Sequence, residues 1–118
     1  MRNFRELVIW QRARGLVKVI YQITATFPSN ERYALCSQIQ RAAVSIPSNI
    51  AEGCSRKSEI DFARFLEIAQ GSAFEVETQL ILANDIGYLQ NNLLIELLEE
   101  LHSLQRQINK LITVIRNN

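Results

Sequence analysis

Apolar positions recur at steps of three and four residues along almost the whole chain. Ile9, Ala13, Leu16, Ile20, Ile23 and Phe27 form a first stripe, and Leu35, Ile39, Ala42, Ile46 and then Asn49 or Ile50 a second. Phe62, Leu66, Ala69, Ala73, Val76, Leu80, Ala83 and Gly87 form a third, and Leu94, Leu97, Leu101, Leu104, Ile108, Leu111 and Ile115 a fourth. Such spacing marks one face of an α-helix. It predicts helices over about residues 5–27, 31–52, 59–86 and 93–116, with no strand pattern anywhere. Short connections make consecutive helices antiparallel. The predicted fold is therefore all-α, an up-down-up-down four-helix bundle in one domain, residues 1–118.

Punctuation residues refine the picture. Pro28 ends the first helix, and Ser29 or Asn30 is placed to cap the second. Pro47 falls inside the second helix and predicts a kink near residues 43–47, with the hydroxyl of Ser45 or Ser48 reaching a backbone carbonyl. Gly53 reads as that helix's stop. Ser58 and Asp61 have capping-box spacing, Gly87 ends the third helix, and Asn91 or Asn92 caps the fourth. Trp10, Val17 and Tyr21 on the first helix lie outside the stripes, as do Phe65, Ile68, Phe74, Ile81 and Leu82 on the third. So much apolar surface exceeds what one core needs and predicts self-association.

At 118 residues and 47% hydrophobic, the chain can bury a real core. No apolar run approaches the roughly 20 residues of a membrane span. No signal-peptide core follows Met1, so a cytoplasmic location is expected. Cys36 and Cys54 suit a reducing compartment and lie too far apart on one helix to bridge. Net charge is +1, but unevenly spread: residues 1–57 hold nine Lys/Arg and three Asp/Glu, and residues 58–118 hold four and nine. Either a basic face meets an anionic partner, or oppositely charged helices attract within the fold.

Three constellations carry candidate chemistry. The first is a polar belt of Ser45, Asn49 and Glu52 on helix two and Ser72, Glu75 and Gln79 on helix three. It reads as a buried network fixing helix register, or as a ligand or interface site. Acid–base catalysis lacks a nucleophile or histidine there, so no enzyme activity is expected. The second is Glu99 with His102, the Glu-x-x-His spacing of di-iron bundles. One histidine in the chain is too few for that chemistry, and no metal or cofactor is expected. The third is a nucleic-acid surface of Arg12, Arg14, Lys18, Arg41, Arg56 and Lys57, where Tyr21 and Tyr33 offer stacking faces. Cations alone give affinity without sequence reading.

Several runs together resemble a known family. They are Val8-Ile9-Trp10-Gln11, Phe27-Pro28 with Glu31 and Tyr33, Gln38 to Ala43, Ser45-Ile46-Pro47-Ser48-Asn49-Ile50-Ala51-Glu52-Gly53, Phe65 to Ala69, and Gly71-Ser72 with Glu75 and Thr78-Gln79-Leu80. They are similar to bacterial four-helix-bundle proteins encoded in intervening sequences of large-subunit ribosomal RNA genes, over about residues 4–115. The resemblance extends to the accessory protein of diversity-generating retroelements. It implies a ring-like homopentamer with RNA or a reverse-transcriptase-like enzyme as partner. Gln40 departs from the family, which often has an arginine there. A protein–protein scaffold without nucleic-acid binding is the rival expectation.

Overall fold

The computed structural model describes residues 2–117. Four helices follow one another: α1 (Val8–Thr24), α2 (Leu35–Cys54), α3 (Glu59–Ile86) and α4 (Asn91–Arg116), with 3-10 turns at Phe4–Glu6 and Ser29–Glu31. The molecule measures 46 × 24 × 19 Å. Its length is set by α3, whose 28 residues span about 42 Å at 1.5 Å per residue. α1 and α3 each pack against both α2 and α4, so they occupy diagonal corners. The stripes meet at the centre, where Ile20, Ile39, Ile46, Phe62, Leu66, Leu80, Leu101 and Ile108 are fully buried. Burying side chains of this size contributes about 1.5–3 kcal/mol each before entropy is counted.

Ser58 accepts a hydrogen bond from the Asp61 amide at 3.1 Å and caps α3 as its spacing predicted. Gly87 closes that helix at φ +98°, a left-handed conformation that disfavours any Cβ. Other boundaries differ from expectation. α1 stops at Thr24, and Phe27 is buried from the turn beyond it, its ring 5.6 Å from that of Tyr88. Ser29 and Asn30 fall in the 3-10 turn and cap nothing. α2 begins only at Leu35, after Ala34, with no side-chain cap. Asn91 is the first residue of α4 rather than its cap, and its Oδ1 accepts from Asn84 Nδ2 at 2.7 Å. α2 runs through Pro47 without a break. The side chain that reaches a carbonyl there is Asn49, donating to Ser45 O at 2.8 Å, rather than a serine hydroxyl.

Gly53 does not stop α2. It lies buried inside the helix, which continues to Cys54. Its hydrogen faces α3 so closely that an added Cβ would sit 2.8 Å from Phe65 Cβ. The glycine serves close helix packing. Cys36 and Cys54 are free and buried, and burial pushes both thiols up.

Candidate nucleic-acid interface

Part of the charge asymmetry is spent inside the fold. The Arg2 guanidinium makes two 2.7 Å bonds to Glu59, and Arg12 reaches α4 to bond Glu100 at 2.8 Å, Ser103 at 2.9 Å and Gln107 at 2.7 Å. Each joins the basic first half to the acidic second. Arg12 is therefore turned into the α1–α4 contact and is not available as a surface cation. Arg56 lies 4.7 Å from the centre of the Phe65 ring and 3.5 Å from Glu52.

The remaining cations stand out. Among the described residues, eight have no carboxylate within ion-pair distance, and Arg5, Arg14, Lys18, Arg32, Arg41 and Lys57 of the first half are six of them. Arg14 and Lys18, one turn apart, project from α1, and Arg41 from the neighbouring α2; all three are exposed. Lys57 lies in the α2–α3 connection, at the far end of α2 from Arg41. Sequence reasoning left Trp10 and Arg32 out of the site. Trp10 and Arg14 line a cleft with Phe4, Val17, Val44 and Pro47 between α1 and α2. Tyr21, Arg32 and Tyr33 line a second cleft farther along the same helix pair. The i, i+4 spacing of Trp10 and Arg14 and the adjacency of Arg32 and Tyr33 were the available signals.

Gln40 also lines the second cleft, its amide donating to Thr24 Oγ1 at 3.0 Å. A side chain at this position meets α1 rather than open solvent.

The polar belt assembles only in part. The Ser45 and Ser72 hydroxyls share a 2.8 Å hydrogen bond across the α2–α3 seam, and Asn49 Nδ2 donates to Ser45 Oγ at 2.9 Å. Gln79 is buried, donates to the exposed Glu75 at 3.3 Å, and leaves its Oε1 without a partner among the described residues. Glu52 does not join. Its side chain is exposed in the last turn of α2 and pairs with Arg56, four residues on. Removing one member of a partly buried network strands its partners. Asn49→Ala is expected to lower stability by about 1–2 kcal/mol in urea melts, and an unchanged midpoint would deny the belt a structural role.

His102 pairs with α3 rather than with Glu99. Its Nε2 lies 3.0 Å from Glu77 Oε2, and Gln105 Nε2 donates to Glu77 Oε1 at 3.0 Å. These bonds, His102's first, hold the Glu77 carboxyl below the usual carboxylate range. A depressed folded-state pKa gives stability that is present above the unfolded value and lost as pH falls through the folded one. Glu77→Gln should therefore lower stability by about 1 kcal/mol at neutral pH. It should also flatten the decline below about pH 4.5, read by melting at a series of pH values. No group of three or more His, Cys, Asp or Glu side chains is arranged to hold a metal ion among the described residues. No described helix is long and apolar enough to cross a membrane.

Comparison with solved structures finds the same fold in a protein of unknown function from the S23 ribosomal protein family of Bacteroides thetaiotaomicron VPI-5482. The TM-score is 0.80 at 22% identity, over 89% of this chain and 98% of that one. No curated protein matches. The profile of the family described as "23S rRNA-intervening sequence protein" matches residues 5–110. With nearly the full bundle matched, the chain belongs to the 23S rRNA-intervening sequence protein family.

Proposed function

We propose that this protein is a non-enzymatic, homo-oligomeric bundle that binds RNA through the outer face of α1 and α2. The observation that carries the reading is the set of uncompensated cations in the first half. Arg14, Lys18 and Arg41 on these helices, with Lys57 just past the end of α2, offer phosphate contacts, and the neighbouring Arg56 would add one only by leaving Glu52. Arg12 braces α1 against α4. Kinship with the family supports RNA as the anion.

Self-association is proposed through the outward side of α3. Ile68, Phe74, Ile81 and Leu82 are exposed there, and Gly71 among them has no atom within 4 Å of where a Cβ would stand. A mid-helix glycine costs about 1 kcal/mol against alanine. No neighbour among the described residues occupies that space, whereas close approach by a second copy would make use of it. The family's ring of five is the assembly we favour, with a cytoplasmic setting.

The test is binding to a structured ribosomal RNA fragment, titrated with salt, beside the mass in solution. Neutralising about six phosphates should weaken binding on the order of a thousandfold between 50 and 200 mM salt. Arg14→Ala/Lys18→Ala should weaken it further and reduce the slope. Absence of binding at low salt would overturn the RNA reading. It would favour a scaffold that meets a protein partner through the apolar face of α3. A monomeric mass would remove the oligomer.

A further inference from the structure

We infer that the RNA-binding face of α1 and α2 takes unpaired bases, stacking them on aromatic side chains while arginines parked beside those rings hold the phosphates. The inference rests on the RNA reading above and adds the kind of RNA and the residues that receive it.

Five arginines in the structure lie against aromatic rings, and they divide into two kinds. Arg2, over Phe62, and Arg56, over Phe65, each also pair with a carboxylate, Glu59 and Glu52 respectively. The other three are Arg5 over Phe4 at 4.8 Å, Arg14 over Trp10 at 5.5 Å, and Arg32 over Tyr33 at 5.9 Å. None of these three has a carboxylate partner among the described residues. Their rings line the two α1–α2 clefts. Carboxylates are scarce around them. Of the three in the first 57 residues, Glu52 is paired with Arg56 and Glu31 takes the Tyr88 hydroxyl at 2.8 Å, leaving Glu6.

Phe4 and Trp10 are half-buried against the core, but the two tyrosines of the second cleft are poorly used by the fold. Tyr33 is 89% exposed and Tyr21 48%, which a tyrosine serving only the core would not be. A lone exposed aromatic needs no explanation. Aromatics next to uncompensated arginines, repeated along one helix pair, match the layout of proteins that hold single strands: a cationic track with π-faces for successive bases. Trp10 and Tyr21 lie eleven residues apart on α1, about 16 Å at 1.5 Å per residue. One unpaired segment can therefore engage both clefts. A duplex keeps its bases stacked inside and offers such rings nothing but backbone. Pro47, Val17 and Val44 give the first cleft an apolar floor suited to a base.

The chain contains a single tryptophan, so its fluorescence reports on the first cleft directly. The probe is an unstructured mixed-sequence 12-nucleotide RNA, compared with the same strand annealed to its complement. Full-length protein is used at low salt. Expected results are tighter binding of the single strand, quenching of Trp10 by that strand, and an affinity about five- to tenfold weaker in Tyr33→Ala but restored in Tyr33→Phe. The exposure of Tyr33 makes its replacement harmless to folding, and the melting temperature of each variant verifies this. Equal or tighter duplex binding, with unchanged fluorescence and a harmless Tyr33→Ala, overturns this inference and leaves RNA binding standing. No binding of either RNA overturns both.

Discussion

Phe62→Ala is expected to destabilise the protein more than any other single side-chain truncation. Phe62 is the largest fully buried side chain and stands in the first turn of α3. Its ring faces Gly53 near the end of α2, and the Arg2 guanidinium lies 4.2 Å from its centre. Arg2 is also held by its amide, which donates to Cys54 O at 3.1 Å, and by Glu59. The ring thus ties the end of α2, the start of α3 and the N-terminal segment together. Truncating a buried phenylalanine removes transfer energy and leaves a cavity, together about 3–5 kcal/mol. Against a total of about 5–15 kcal/mol for a domain, that is a large share. The melting temperature should fall by about 10–20 °C. Arg2→Ala should cost about 1 kcal/mol or less, since an exposed ion pair and a cation–π contact are each small. Equal losses from the two variants would mean that the corner is held by charge rather than packing. Both are compared at one protein concentration, because assembly shifts apparent stability.

That corner also marks where the sequence was legible and where it was not. Helical stripes identified the four helices because apolar periodicity is set by the fold's dominant energy term. Even so, the fourth stripe drifts. A strict 3,4 pattern put Leu111 inside, whereas Ile112 is buried and Leu111 only half so. A repeat of 3.5 rotates about 20° per heptad against a straight helix, and over this length the buried face moves on by one residue. The site was less legible for a similar reason. Arg12 and Arg14 look alike in a charge count, yet two residues turn the side chain by about 200°. One therefore meets Glu100 on α4 and the other Trp10 near α2. Helical spacing on two facing helices places Ser45 and Ser72 in one belt, and their hydroxyls do meet across the seam. Glu52 shares the spacing of Ser45 and Asn49, but in the last turn of α2 it is exposed and its partner is Arg56 rather than α3, which spacing alone does not reveal. The role of Gly53 was hidden because it depends on a residue of another helix.

Gly53→Ala is the second large expectation, and it runs against helix propensity. At an open position the replacement stabilises. Gly15 has nothing within 4 Å of an added Cβ, so Gly15→Ala should gain about 0.5–1 kcal/mol from propensity and reduced unfolded-state entropy. At Gly53 the same gain meets a clash. The new methyl would sit 2.8 Å from Phe65 Cβ, 3.1 Å from Phe62 Cδ1 and 3.4 Å from Phe62 O. Phe65 Cβ is fixed to the α3 backbone, so the contact is relieved only by moving the helices apart. Phe62 cannot swing away, since its ring is fully buried. Overpacking of this kind costs about 1–3 kcal/mol, occasionally more, and it exceeds the propensity term. The net loss should be about 2 kcal/mol for alanine, and more for valine, whose branches meet the same wall. Urea melts of Gly15→Ala and Gly53→Ala should move in opposite directions. If both stabilise, the close approach of α2 and α3 at Gly53 is soft, and the glycine there is not a packing requirement. If Gly53→Ala destabilises while Gly53→Ala/Phe62→Leu recovers part of the loss, the clash lies in the ring and not only in Phe65 Cβ. That double variant also links the two expectations, because residues in contact combine non-additively.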